Sequence, residues 1–153
     1  MNRWKKVLIV LIFVCISVAV VIGGSFNLFE TSPGGPPVIA VTKSTCDRPP
    51  GFILIIADLS GFNDSIGHGA PLHPWPVIHV HQGDAVQLLV CNRDTTQPHG
   101  FAIGTYLNAG MVLAPGDAYR VVFTATVPGT FVIYCNIFCT VHVFMRSQLI
   151  VSE

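Results

Sequence analysis

An all-β sandwich preceded by one N-terminal transmembrane helix is the fold class this sequence predicts, on three observations. An uncharged apolar run from Val7 to Phe29 follows Arg3, Lys5 and Lys6. Beyond it, short β-branched and aromatic runs alternate with clusters of Gly, Pro, Asn and Asp, the pattern of a sandwich or barrel. No long amphipathic helical period occurs in that part. At 153 residues the chain has room for one core of ordinary domain size.

Taken in order, residues 1–30 are the expected membrane anchor. The apolar run is long enough to cross about 30 Å of hydrocarbon as a helix. The basic flank keeps the N-terminus in the cytoplasm, and Trp4 suits an interfacial position. The expectation is therefore a single-pass protein of the cell membrane with its folded domain on the extracytoplasmic side. A cleaved signal peptide is the alternative, and "VIGGSFN" can be read as its end, although the run exceeds the roughly 7 to 15 residues of a signal core. Either way the domain is exported. Residues 31–37, "TSPGGPP", form a linker that cannot continue a helix.

Residues 38–153 form the expected β domain, with strands at Val38 to Thr42, Phe52 to Asp58, Val77 to His81, Ala85 to Asn92, His99 to Ile103, Ala118 to Thr124, Gly129 to Tyr134 and Gln148 to Val151. In "GDAVQLLVCN" the period of two places Val86, Leu88 and Val90 on the core face. "HQGDAV", "APGDAY" and "VPGTF" supply turn residues between strands. Segment 60–76, rich in Gly and Pro, reads as a loop.

Residues 31–153 carry five basic groups (Lys43, Arg48, Arg93, Arg120 and Arg146) against seven acidic ones, a net of minus two. No basic face suited to nucleic acid is present in the sequence.

The chemistry is concentrated in "YCNIFCTVHVFMR", where Cys135, Cys139, His142 and Met145 fall within eleven residues just after a strand. A thiolate binds soft or borderline metals, imidazole suits copper and zinc, and a thioether favours copper. A mononuclear blue-copper site needs two histidines, one cysteine and a weak axial methionine. The loop has one histidine, so another must come from a distant strand, and His99 in "QPHGFAI", 36 positions before Cys135, is the candidate. A zinc half-site has no use for the methionine. A local Cys135–Cys139 disulfide is a further reading in an exported domain.

"PHGFAI", then "APGD", then "VPGTFVIYCNIFC" with the following His and Met, resembles the copper domain of cytochrome c oxidase subunit II and its cupredoxin relatives. The resemblance runs from about residue 76 to 151 and includes the lead-in "VIHVHQGDAVQLLVCNRD". It implies a cupredoxin-like Greek-key β-sandwich holding a binuclear CuA centre. Cys135 and Cys139 would then be bridging thiolates, and His99 and His142 would each terminate one copper. Met145 and the Ile137 carbonyl would be the weak ligands. The family spacing is C-x₃-C-x₃-H-x₂-M, whereas here it is C-x₃-C-x₂-H-x₂-M, and the tail "CTVHVFM" resembles the C-x-x-H-x-x-M loop of amicyanin, a mononuclear blue-copper protein. One residue fewer shortens the span by up to about 3.5 Å. The binuclear centre and a mononuclear type 1 site thus both stand as expectations.

By that resemblance the chain passes single electrons from an extracytoplasmic donor, such as a cytochrome or small copper protein, to the membrane subunit of a haem-copper oxidase. It does so as an electron-transfer subunit and not as a catalyst by itself. The alternatives are a freestanding membrane-tethered blue-copper carrier and a copper-delivery protein. The remaining histidines, His68, His73, His79 and His81, read as surface residues, although His79 and His81 share one strand face. Cys46 and Cys91 can form a disulfide in an oxidising compartment. Cys15 lies within the anchor segment.

Overall fold

In the computed structural model of the protein, residues 38–153 are described. The expected anchor, linker and Cys15 lie outside those residues. Among the described residues no helix is long and apolar enough to cross a membrane.

Ten strands follow in order: β1 (Ile39–Ser44), β2 (Ile53–Asp58), β3 (Gly61–Phe62), β4 (Val77–His81), β5 (Ala85–Asn92), β6 (His99–Ile103), β7 (Leu107–Leu113), β8 (Ala118–Thr124), β9 (Gly129–Tyr134) and β10 (Arg146–Ser152). They form two five-stranded sheets, β1-β8-β5-β2-β3 and β4-β10-β9-β6-β7. Most neighbours are distant in sequence, as crossed connections between two sheets require. The pairs β2/β5 and β4/β10 are parallel.

All eight expected strands are present, five with the expected bounds and three with ends shifted by one or two residues. β7 and the two-residue β3 are additions. β7 contains Asn108 and Gly110, the latter at φ +64°, so its residues do not alternate cleanly. It is an edge strand held by β6 through His99↔Leu113, Gly100↔Val112 and Phe101↔Met111.

Period-two alternation fills the space between the sheets. Ile55, Val86, Leu88, Val90, Val121 and Phe123 project from one sheet, and Ile78, Phe101, Ile103, Ile133, Leu149 and Val151 from the other, into one core. Val86, Leu88 and Val90 face that core as expected. The opposite side of β5 is not simply solvated: Leu89 and Cys91 are buried with Ala118 beneath Cys46, Phe52 and Leu54. Cys46 and Cys91 are joined by a disulfide there.

Two of the expected turns close through their aspartates. Asp84 Oδ2 accepts the His81 N–H at 2.7 Å and Asp117 Oδ2 accepts the Ala114 N–H at 3.1 Å. Residues Cys135, Cys139 and Met145 belong to the main core cluster. The loop between β9 and β10 therefore closes one end of the core.

Candidate metal centre

His99 opens β6 and is completely buried. Its Nε2 lies 3.1 Å from Asp94 Oδ2. Asp94 sits in the turn after β5, where its Oδ1 accepts the Thr96 N–H and hydroxyl, both at 2.8 Å, and the Gln97 N–H at 3.1 Å. Burial alone would raise this carboxyl, but the hydrogen bonds from Thr96, Gln97 and His99 outweigh it and hold the pKa at about 2. Asp94 is therefore ionised at neutral pH and can only accept. His99 Nε2 therefore donates to it, and in the neutral imidazole this leaves Nδ1 as the acceptor. Nδ1 is buried and has no hydrogen-bond partner among the described residues. An orphaned buried acceptor costs about 1–3 kcal/mol, and a metal-ligating imidazole characteristically gives its other N–H to a carboxylate.

Cys135 lies immediately beyond β9, 1% exposed. Its sulfur accepts the Gly100 N–H at 3.1 Å. This contact needs a glycine at position 100. A Cβ there would run into Asn136 Oδ1 and lie 2.6 Å from Asn136 N and 2.9 Å from Ile137 N, and backbone atoms cannot move aside as a side-chain end can. Gly100→Ala is expected to push the ligand loop off β6 and cost roughly 1–3 kcal/mol, the range for overpacking. Chemical denaturation of the metal-free chain measures it; a change below a few tenths of a kcal/mol contradicts the close approach.

Cys139 is 5% exposed and its Sγ lies 3.7 Å from Cys135 Sγ. Both thiols are free, so the local disulfide reading fails. Burial first, then the neighbouring Cys135, push the Cys139 thiol up to about 12. Met145 is completely buried, with its Sδ 3.7 Å from Cys139 Sγ. The ligand atoms of His99, Cys135 and Cys139 all lie within 4.8 Å of one another, the one such group among the described residues.

His142 is placed differently. It starts a short 3₁₀ turn, His142–Phe144, and is half-buried. Its Nδ1 lies 2.8 Å from the Ile137 carbonyl oxygen, to which it donates. The same carbonyl accepts from the Cys135 thiol at 3.1 Å. Two sequence-nominated ligands, His142 and Ile137, are thus engaged with each other, and His142 stands outside the His99–Cys135–Cys139 group.

The remaining histidines, His68, His73, His79 and His81, are exposed. His68 stacks on Trp75 at a centroid distance of 4.0 Å, and His81 Nδ1 lies 3.7 Å from Asp84. Sequence reasoning missed Asp94. Its signal is local: an Asp two residues past a strand, with Thr two residues on and the candidate histidine five residues on. Asn92 holds that turn, donating to Leu113 O at 3.0 Å and Gln97 O at 2.9 Å while accepting the Asp94 N–H at 2.9 Å.

No family model matches the sequence. Among solved structures, one chain of a heme-copper terminal oxidase dimer superposes with TM-score 0.50 at 15% identity, over 98% of this chain and 99% of that one. The copper nitrite reductase from Nitrosomonas europaea superposes with TM-score 0.52 at 11% identity, over 67% of this chain and only 49% of that one. A methionine-to-alanine mutant of amicyanin in its Cu(I) form gives TM-score 0.49 at 20% identity, over 74% of this chain and 98% of that one. The described domain shares the two-sheet β-sandwich fold of the oxidase and nitrite reductase chains, and its His99, Cys135, Cys139 and Met145 bring together the imidazole, thiol and thioether donors that suit copper.

Proposed function

We propose that this chain is a membrane-anchored copper electron-transfer protein of the cytochrome c oxidase subunit II kind, passing single electrons from an extracytoplasmic donor to a haem-copper oxidase. The observation that carries this reading is the convergence of one unpartnered imidazole nitrogen and two thiols, with a thioether beside them, all buried at one end of the sandwich. The residues holding the centre are His99, Cys135, Cys139 and Met145, joined by His142 and the Ile137 carbonyl in a binuclear, CuA-type arrangement. Copper held by these residues supplies one-electron redox chemistry.

The chain's own residues suit that task. Asp94 fixes the His99 tautomer and ring orientation, as an outer hydrogen-bond partner does for a metal-bound histidine. The Gly100 N–H, aimed at Cys135 Sγ, stabilises negative charge on that sulfur. His99, Cys135, Cys139 and Met145 are buried, whereas handing metal to another protein calls for exposed donors, which argues against copper delivery. The Cys46–Cys91 disulfide supports an oxidising, extracytoplasmic location. The apolar Val7 to Phe29 run supports the anchor. Coverage of nearly all of a heme-copper terminal oxidase chain supports the partner.

A mononuclear, blue-copper carrier is the second reading, favoured by the Nδ1 bond between His142 and Ile137 and by the short step from Cys139 to His142. Loading the detergent-solubilised full chain with copper and recording its electron-paramagnetic-resonance spectrum separates the two. The expected result is an unpaired electron shared by two equivalent copper nuclei. A hyperfine pattern from one nucleus replaces the binuclear reading by the mononuclear one. Co-purification with haem-bearing membrane subunits is the expected mark of an oxidase subunit, and its absence that of a freestanding carrier.

A further inference from the structure

Three consecutive carbonyls around Met145 are each held by a different donor. The Phe144 carbonyl accepts the Ser65 hydroxyl at 2.7 Å. The Met145 carbonyl accepts the Cys135 N–H at 3.3 Å, and the Arg146 carbonyl accepts the Trp75 N–H at 3.0 Å. Met145 N–H itself donates to His142 O at 3.2 Å. Two of the three clamping donors therefore come from segment 60–76, which the sequence reads as a loop.

That segment is anchored at its other end. Asn63 Oδ1 accepts the Ile56 N–H at 2.6 Å and its Nδ2 donates to Leu54 O at 2.9 Å, fixing the segment to β2. Trp75 Nε1 donates to Asn63 O at 3.1 Å, closing the segment on itself. Ser65 is 0% exposed, and its oxygen also accepts the Phe62 N–H at 3.1 Å. A buried hydroxyl adds nothing to apolar packing and is tolerated because both of its bonds are made. Gly61 accommodates it. At φ +91° a side chain is strained in any case, and a Cβ there would land on Ser65 Oγ and sit 3.3 Å from the Phe144 carbonyl.

We infer that Ser65 is a positioning residue for Met145: through the Phe144 carbonyl, segment 60–76 sets the thioether beside Cys139 before any metal arrives. The inference rests on Met145 being a copper ligand. A weak axial ligand tunes the reduction potential of a copper site, so the strap between the two sheets tunes it too, from outside the ligand set.

The full chain in detergent tests this with two readouts. In the metal-free wild type, the Trp75 and Cys135 amides are expected to exchange with solvent as slowly as β5 amides. Exchange at the rate of unstructured chain overturns the clamp, and this measurement needs no variant to fold. In Ser65→Ala both amides are expected to exchange at least about tenfold faster, the effect of leaving a buried carbonyl unpaired, while β5 amides are unchanged. Unaltered rates at Trp75 and Cys135 count against the proposal. In the copper-loaded chain, Ser65→Ala is expected to shift the reduction potential, and the shift is expected to vanish in a Met145→Leu background. A shift of equal size in that background shows that Ser65 does not act through Met145 and overturns the proposal. If Met145→Leu alone leaves the copper spectrum and potential unchanged while the metal-free exchange pattern stands, the ligand assignment fails, and the tuning role falls with it.

Discussion

Cys135→Ser and Cys139→Ser are each expected to abolish the two-copper spectrum and lower copper binding to one ion per chain or none. The two sulfurs face each other at 3.7 Å and share His99 as a neighbour, so neither is spare in a bridged centre. Serine is harder and a poor ligand for copper compared with a thiolate. Its hydroxyl is also buried at these positions and must find a partner or cost about 1–3 kcal/mol. Electron paramagnetic resonance together with metal analysis reads both effects. Retention of an intact single-copper signal in one of the two variants is the outcome that sinks the bridged centre and selects the mononuclear one.

The second large effect concerns stability. Removing the Cys46–Cys91 disulfide, by reduction or as Cys46→Ser with Cys91→Ser, is expected to destabilise the chain by roughly 4 kcal/mol. The bridge spans 45 residues, and the chain-entropy account of a closed loop of that length gives about 4 kcal/mol. The melting temperature should fall by roughly 10–20 °C for a domain of this size. Calorimetry of oxidised and reduced protein measures it, and a difference below about 1 kcal/mol shows that the 46–91 loop remains constrained without the bond. The bridge covers the outer face of β5 with Leu89 and Ala118, whereas Cys135, Cys139 and Met145 belong to the inner core, so the copper spectrum of the folded Cys46→Ser, Cys91→Ser double variant, recorded without reductant, should be unchanged.

Sequence periodicity carries far in this molecule because its strands obey it. Val86, Leu88 and Val90 alternate into the core, and the eight strands read from apolar runs and turn residues all form. β7 escapes because Asn108 and Gly110 break its alternation; its strand character is supplied by pairing with β6. The candidate donors were legible from chemistry and spacing, since a thiol, an imidazole and a thioether in one short loop have few other uses. His99 needed an added argument, the shortage of histidines in that loop. Asp94 and Ser65 were not legible. Asp after a strand looks like a turn former, and it is one; only the fold shows that its second oxygen faces His99. Ser65 meets Phe144 across 79 positions, a partnership no local pattern records. His142 is the converse case. Its spacing nominated it, yet local geometry gives its Nδ1 to Ile137.

The register of β9 and β10 has a further consequence. Tyr134 and Arg146 are directly paired, so the sheet treats the eleven residues 135–145 as one hairpin connection. Loop-closure entropy grows only with the logarithm of length, and one more residue in such a connection costs less than about 0.1 kcal/mol. Closure entropy therefore scarcely separates a C-x₂-H step from a C-x₃-H step. The cost of changing that step falls on packing instead, because Cys135, Cys139 and Met145 fill one end of the core and the Phe144 carbonyl is tied to Ser65, so the same residues that hold the metal also close the sandwich.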